Sequence, residues 1–220
     1  MKNIFKLSAA VMSIVVCNSV SASLITIETG FSSAGAQIDA LAYRSLVDSA
    51  VDTPSPGYGS AAVAAYDNIS NHTLFPGGSL TDIAFKSTVD FYVSPANAGP
   101  WQIRAGVDFG HGGAIFVDDM PYDYKTNDMW WNGSYSDSSQ YLSINTLILA
   151  AGYHTLNLYG LEGCCDGFQQ AQFRIGGVGD FATFSTSDNL SPVPEPETHA
   201  MLLVGLGLIG FAVWNRKTNI

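Results

Sequence analysis

The chain has 220 residues, room for one domain of ordinary size plus processing segments. Only 13% of the residues are charged, while 22 are glycine and 12% are aromatic, which suits an exported all-β domain better than a charged helical one. Between Ser23 and Val193 five Lys/Arg stand against seventeen Asp/Glu, a net of −12. Such a surface repels nucleic acid and anionic lipid headgroups and is compatible with divalent cations or neutral sugars.

In chain order, Lys2 and Lys6 precede a short apolar run, Leu7–Cys17, and the small residues Val20-Ser21-Ala22. This is the pattern of a secretory signal peptide, with cleavage by signal peptidase expected between Ala22 and Ser23. Leu24–Thr29 alternates apolar and polar and predicts a strand. Ala34–Val51 changes period, and Ile38, Leu41, Ala42, Leu46 and Val47 predict one amphipathic helix. Asp52–Ser60, with Pro54, Pro56, Gly57 and Gly59, is a loop, and Ala61–Leu80 is irregular. Strands are then expected at Ile83–Val93, Trp101–Phe109, Ala114–Asp118, Tyr141–Leu149, Tyr153–Tyr159 and Gln169–Ile175. Gly110–Gly113 and Ala150–Gly152 look like hairpin turns, Met120–Gln140 is loop-rich, and Phe181–Phe184 adds an edge strand. The sum is mainly β: an antiparallel β-sandwich of jelly-roll or lectin-like type with one N-terminal helix, over residues 23–184.

Residues 185–192 form a polar, Pro-containing linker. Pro194-Glu195-Pro196 follows, then Ala200–Trp214 without a charge, then Arg216-Lys217. Fifteen apolar residues are short for a spanning helix, which usually needs about 20, and the basic tip favours a cytoplasmic C-terminus. The three parts, in this order, resemble the PEP-CTERM sorting signal over 193–217. The resemblance implies a bacterium with an outer membrane. It implies export across the inner membrane and transient anchoring there by helix 200–214. It also implies cleavage by an exosortase and a final place on the cell surface or in the exopolysaccharide matrix.

Three features of the middle can carry chemistry. After signal cleavage Cys164 and Cys165 are the two remaining cysteines. They can bond to each other, bond to another chain or stay reduced; an exported chain favours oxidation, and a vicinal disulfide framed by Gly163 and Gly167 is expected. Second, Asp108, Asp118-Asp119, Asp123, Asp128 and Asp166 sit at strand ends and loops. They read as turn-favouring, solvated aspartates, or as an oxygen-rich set of the kind calcium takes, with Asp108, Asp118 and Asp119 as candidate ligands. Third, Trp130-Trp131, Tyr122, Tyr124 and Tyr135 offer flat faces to a sugar ring, and equally offer packing. No Ser-His-Asp, HExxH, P-loop or dinucleotide pattern is present, and the one catalytic pair to nominate is Asp108 with Glu162, helped by His111 or His154.

Val107–Asp119, Trp130-Trp131, Gly152-Tyr153-His154-Thr155 and Glu162–Gly167 together resemble the CCXG group of PEP-CTERM proteins. More distantly they resemble the lectin-like β-sandwich of the protective-antigen and GLEYA adhesin type, over about 79–177. That resemblance implies carbohydrate binding, assisted in the adhesins by calcium on two adjacent aspartates. Asp108 falls on one member of that pair, but Phe109 stands where the second would be. The expected function is therefore a non-catalytic surface or matrix protein that binds extracellular polysaccharide through Asp108, Trp130, Trp131 and Asp166. The alternatives are a purely structural matrix protein and, behind it, a glycoside hydrolase.

Overall fold

The computed structural model describes residues 23–190 and Gly205. The expected signal peptide with its Ala22–Ser23 junction, the sorting residues Pro194, Glu195, Pro196, Arg216 and Lys217, and the expected membrane helix lie outside the described residues. Among the described residues no helix is long and apolar enough to cross a membrane.

Among the described residues ten strands form two antiparallel sheets. They are β1 (Ser23–Phe31), β2 (Ser60–Val63), β3 (Thr81–Val93), β4 (Gly99–Gly106), β5 (Gly113–Val117), β6 (Met120–Lys125), β7 (Tyr141–Leu149), β8 (Gly152–Cys164), β9 (Gln170–Ile175) and β10 (Ala182–Thr183). One sheet has the order β2-β1-β3-β8-β5-β6, and the other β10-β9-β4-β7. Alternation places one face of each sheet inward. Between them a ring of aromatics closes the core: Phe91 against Trp101 at 5.6 Å, Trp101 against Phe173 at 5.3 Å, and Phe173 against Phe184 at 4.7 Å between ring centroids.

The six-stranded sheet is covered on its other face too. Helix α1 (Ala40–Val51) lays Ala40, Tyr43 and Val47 on Ala84, Ala114, Phe116, Tyr159 and Leu161. This explains why every residue of β5, and Leu156–Glu162 of β8, is buried rather than every second one. The helix starts later than its periodicity suggests. Asp39 caps it, accepting from the Ala42 N–H at 2.8 Å. That start leaves Ile38 (84% exposed) ahead of the helix, and Leu41 (59%) faces outward from its first turn.

Two expected hairpins are crossings between sheets. Gly110–Gly113 leads from β4 in one sheet to β5 in the other, and Ala150–Gly152 leads from β7 to β8 in the same way. Turn residues look alike in both kinds of connection, so their chemistry does not tell them apart. Within the loop-rich stretch β6 forms an exposed edge strand. A further short helix, α2 (Asn71–Leu74), interrupts the irregular region. The expected linker is packed through its described part: Thr186 N–H donates to Ala64, the Ser23 hydroxyl donates to Asp188 at 2.6 Å, and Leu190 is buried.

The crossing from β4 to β5 depends on close approach. The ring of Phe109 lies on Gly160 of β8, where an added methyl would meet ring carbons at 2.1 Å. Gly160→Ala is expected to cost about 1–3 kcal/mol through overpacking, lowering the melting temperature by a few degrees. Adding Phe109→Leu should recover part of that loss. Thermal unfolding of the parent and both variants checks this, and an unchanged midpoint for Gly160→Ala would contradict it.

Candidate functional site

A cleft of about 730 Å³ opens at the end of the sandwich where β8 terminates. Its lining includes Asp108, Asp128, Trp130, Glu162 and the Cys164–Cys165 pair. Each of these is set in place by the backbone below it.

Glu162 is the last carboxylate of β8 and is only 4% exposed. Its two oxygens each accept a backbone N–H at 2.6 Å, one from Gly110 and one from Cys164. Burial nevertheless outweighs these bonds and, with the neighbouring charges of Asp108 and Asp128, pushes its pKa up to about 7. Asp108 follows β4 and is buried as well. It accepts the Gly167 N–H at 2.8 Å, and burial again raises its pKa above the ordinary carboxylate range. Glycine is required at 167, because a methyl group there would fall 2.0 Å from the Asp108 carboxylate.

The cysteine sulfurs lie at bonding distance, 2.04 Å, in a bond between adjacent residues. The loop that carries them is held from several sides. Cys165 N–H donates to Leu80, and Cys165 (φ 86°) and Asp166 (φ 34°) both take left-handed backbone. Cys164 and Gly167 point their N–H groups at the two buried acids. The loop thus forms a fixed wall of the cleft.

Trp130 and Trp131 separate. Trp130 is 67% exposed, stands on the cleft rim, and has its N–H donated to Gln140 Oε1 at 2.6 Å. A second hollow of about 340 Å³, lined by Asn132, Ser134, Ser136, Asp137 and Gln140, shares Trp130 and Asp128 with the first. Trp131 instead covers Gly106 of β4, with its ring where a side chain would be, and packs on Tyr135 at 4.5 Å. It serves packing and does not line the cleft.

The expected grouping of aspartates is not what the fold builds. Asp118 and Asp119 form the β5–β6 turn, both with positive φ (49° and 66°). Asp118 accepts the Thr155 N–H at 3.0 Å and pairs with His154 Nδ1 at 2.6 Å, while Asp119 pairs with Arg44 at 2.8 Å. Thr155 and Glu162 are seven residues apart on one strand, so Asp118 and Asp108 sit at opposite ends of the sheet, roughly 20 Å apart by strand rise. They cannot share one ion. Asp166 is turned inward: its carboxylate takes the N–H groups of Asn71 (2.9 Å) and His72 (2.7 Å) and the His72 ring nitrogen (2.6 Å). It holds the loop and is not free for a ligand. Among the described residues no three His, Cys, Asp or Glu side chains converge as a metal-holding group. The expected calcium set is therefore not assembled: Asp108 lies apart from Asp118 and Asp119, and Phe109, beside Asp108, is wholly buried.

Glu162 gives a pH signature. Its proton is held to about pH 7 in the folded state but lost near 4.5 when unfolded, so the folded state binds more protons across that window. The stabilisation is complete below pH 4.5 and is lost as pH rises to 7, on the order of 3 kcal/mol. Asp108 acts in the same direction. Melting temperatures from pH 4 to 8 should fall less steeply for Glu162→Gln than for the parent protein. Parallel curves would show that Glu162 titrates normally.

The PEP-CTERM protein-sorting motif is matched at residues 192–217. No curated protein matches the chain. Among solved structures, a PA14 domain of the antifreeze protein MpAFP aligns with a TM-score of 0.50 at 13% identity, covering 77% of this chain and 90% of that one. A PA14 sugar-binding domain from an RTX adhesin aligns with a TM-score of 0.48 at 13% identity, covering 76% and 97%. The A domain of epithelial adhesin 9 from Candida glabrata, in complex with Galβ1-4GlcNAc, aligns with a TM-score of 0.46 at 12% identity, covering 77% and 89%. The chain therefore carries a PEP-CTERM protein-sorting motif at residues 192–217, behind a β-sandwich similar in fold to a PA14 domain.

Proposed function

We propose that this protein is an exported, exosortase-sorted surface or matrix protein, and that its cleft binds a neutral segment of extracellular glycan without catalysis. The observation that carries the reading is Trp130: a mostly exposed indole, tethered through its backbone, standing between two polar hollows. A pyranose presents an apolar C–H face and a rim of hydroxyls. The indole takes the first, while the polar side chains of the two hollows take the second. Two adjoining hollows fit consecutive sugars of a chain better than one small ligand.

A glycosidase would need one acid and one base or nucleophile with oxygens free to meet the scissile bond. Main-chain N–H groups take part of the acceptor capacity of each acid, one on each Glu162 oxygen and one on Asp108, and hold both against the protein rather than toward a substrate. Affinity per site is expected to be modest, with retention in a matrix coming from many sites on one polymer.

Thermal shift of the full-length chain over a panel of neutral oligosaccharides tests this. A bound sugar at 100 times its dissociation constant stabilises by about 2.7 kcal/mol, several degrees for a domain of this size. Trp130→Ala should abolish the shift with little change in the unliganded midpoint. The same panel with calcium and with chelator asks about the ion: a shift that needs calcium and is lost in Asp108→Asn would restore calcium assistance. Absence of any shift would favour the scaffold reading, and release of reducing ends would favour the hydrolase.

A further inference from the structure

The domain has five basic residues between Ser23 and Val193, and their partners divide them in two. Arg44 pairs with Asp119 at 2.8 Å, Lys86 with Asp48 at 2.9 Å, and Lys125 with Asp123 at 3.9 Å. Arg104 and Arg174 have no carboxylate partner among the described residues. In so acidic a chain that is the less expected outcome, and the two lie together.

Register puts them there. Ile103, Ala105, Ala171 and Phe173 point into the core, so Gln102, Arg104, Gln172 and Arg174 point out from the four-stranded sheet. Gln102 lies opposite Arg174, and Arg104 opposite Gln172, so the four side chains form a square with the arginines on one diagonal. Each guanidinium forks onto the cross-strand amide oxygen. Arg104 Nε and Nη2 donate to Gln172 at 2.9 and 2.6 Å; Arg174 Nε and Nη2 donate to Gln102, the former at 2.8 Å. Those bonds use both amide oxygens of the square, and two further donors are taken by main chain: Gln102 Nε2 donates to Asn145 O and Arg174 Nη1 to Gly179 O, each at 3.2 Å. What is left is N–H: the remaining Nη hydrogens of the two guanidiniums and the Gln172 amide NH2.

The flat faces of the arginines are covered as well. Arg104 lies between the rings of Tyr135 (3.7 Å) and Phe181 (3.8 Å), and Arg174 lies over Phe181 (4.5 Å). Stacking fixes each guanidinium plane and leaves its in-plane donors as the open edge. That edge is the part that matches a carboxylate by paired N–H bonds. Two neighbouring cations held by neutral amides repel each other, and an anion laid across them removes the repulsion.

We propose that this outer face of the four-stranded sheet is a second glycan site, separate from the cleft, which takes carboxylate-bearing polysaccharide through Arg104 and Arg174. The ligand class is a polyuronate. Its repeated carboxylates suit a repeated donor surface, and Tyr135 and Phe181 flank the donors with aromatic edges.

The test uses the full-length chain purified in detergent, with polygalacturonate as probe and fully methyl-esterified polygalacturonate as its uncharged counterpart. Binding is expected for the acid polymer and not for the ester, and it should weaken steadily with added sodium chloride. Arg174→Gln and Arg104→Gln should each raise the dissociation constant tenfold or more. Arg174→Lys should give an intermediate loss, because it keeps charge but not the fork. Should Arg104→Gln fail to fold, Arg174, which carries one aromatic contact rather than two, still decides the matter. Arg174→Gln should leave the thermal response to neutral oligosaccharides as in the parent, so the two sites stand or fall separately. Equal binding to acid and ester, no binding to the acid polymer, or binding unaffected by Arg174→Gln would each overturn the assignment.

Discussion

The seating of Phe109 on glycine is the contact from which the cleft is assembled. The ring occupies the space that side chains at Gly160 and Gly113 would need. Its backbone exchanges hydrogen bonds with Met129, N–H to O at 3.0 and 3.2 Å in the two directions. One residue before it stands Asp108, one residue after it Gly110, whose N–H meets Glu162, and one residue after Met129 comes Trp130. A single aromatic plug thus fixes the buried acid, the rim indole and the strand-end glutamate relative to one another. A β-branched or larger residue at either glycine would move all three.

That arrangement also explains why two carboxylates tolerate burial here. Among the described residues neither is paired with a cation. Instead each is met by main-chain N–H groups from the cysteine loop, Cys164 to Glu162 and Gly167 to Asp108. Hydrogen bonds of this kind favour the charged form, yet desolvation outweighs them at both sites, so Glu162 keeps a proton to about pH 7. The loop is in turn held by Asp166, whose carboxylate closes it against Asn71 and His72. Asn71 passes the contact on, its side chain meeting Thr29, Gly57 and Ser79. The conspicuous cysteine loop is therefore tied into the sandwich from both sides rather than projecting from it.

Much of this was legible in the sequence because alternation is a local property. The long strands β1, β3, β7 and β9 were read within about two residues of their observed ends, and the outer edge strand β10 was found. Edge strand β6 was not, since Met120, Pro121 and Tyr122 are all exposed and show no alternation. The helix was found but its inner face was misplaced, because the face depends on where Asp39 caps the first turn. At the site, Asp108, Trp130 and the cysteine pair were recognisable as residue types in loops. The split between Trp130 and Trp131, the inward turn of Asp166 and the distance of Asp118 were not. Each depends on which strand a neighbour pairs with, and the crossings at Gly110–Gly113 and Ala150–Gly152 read as ordinary hairpins. Nothing in the sequence joins Arg104 to Arg174, 70 residues away, until the β4–β9 register sets them on one diagonal.

Net charge hides a division of labour between surfaces. A total of −10 describes the chain as seen from far away, but at physiological ionic strength a charge is screened beyond about 8 Å. What a polymer meets on arrival is local. At the β8 end it meets protonatable acids, a disulfide wall and an indole, a surface suited to neutral hydroxyls. On the outer face of the four-stranded sheet it meets a square of donors with every amide oxygen already engaged. The reason lies in pairing: the other three basic side chains of the described domain are spent on aspartates, while Arg104 and Arg174 are held by neutral amides, with Asp67 meeting Gln170 farther along the outward row of β9.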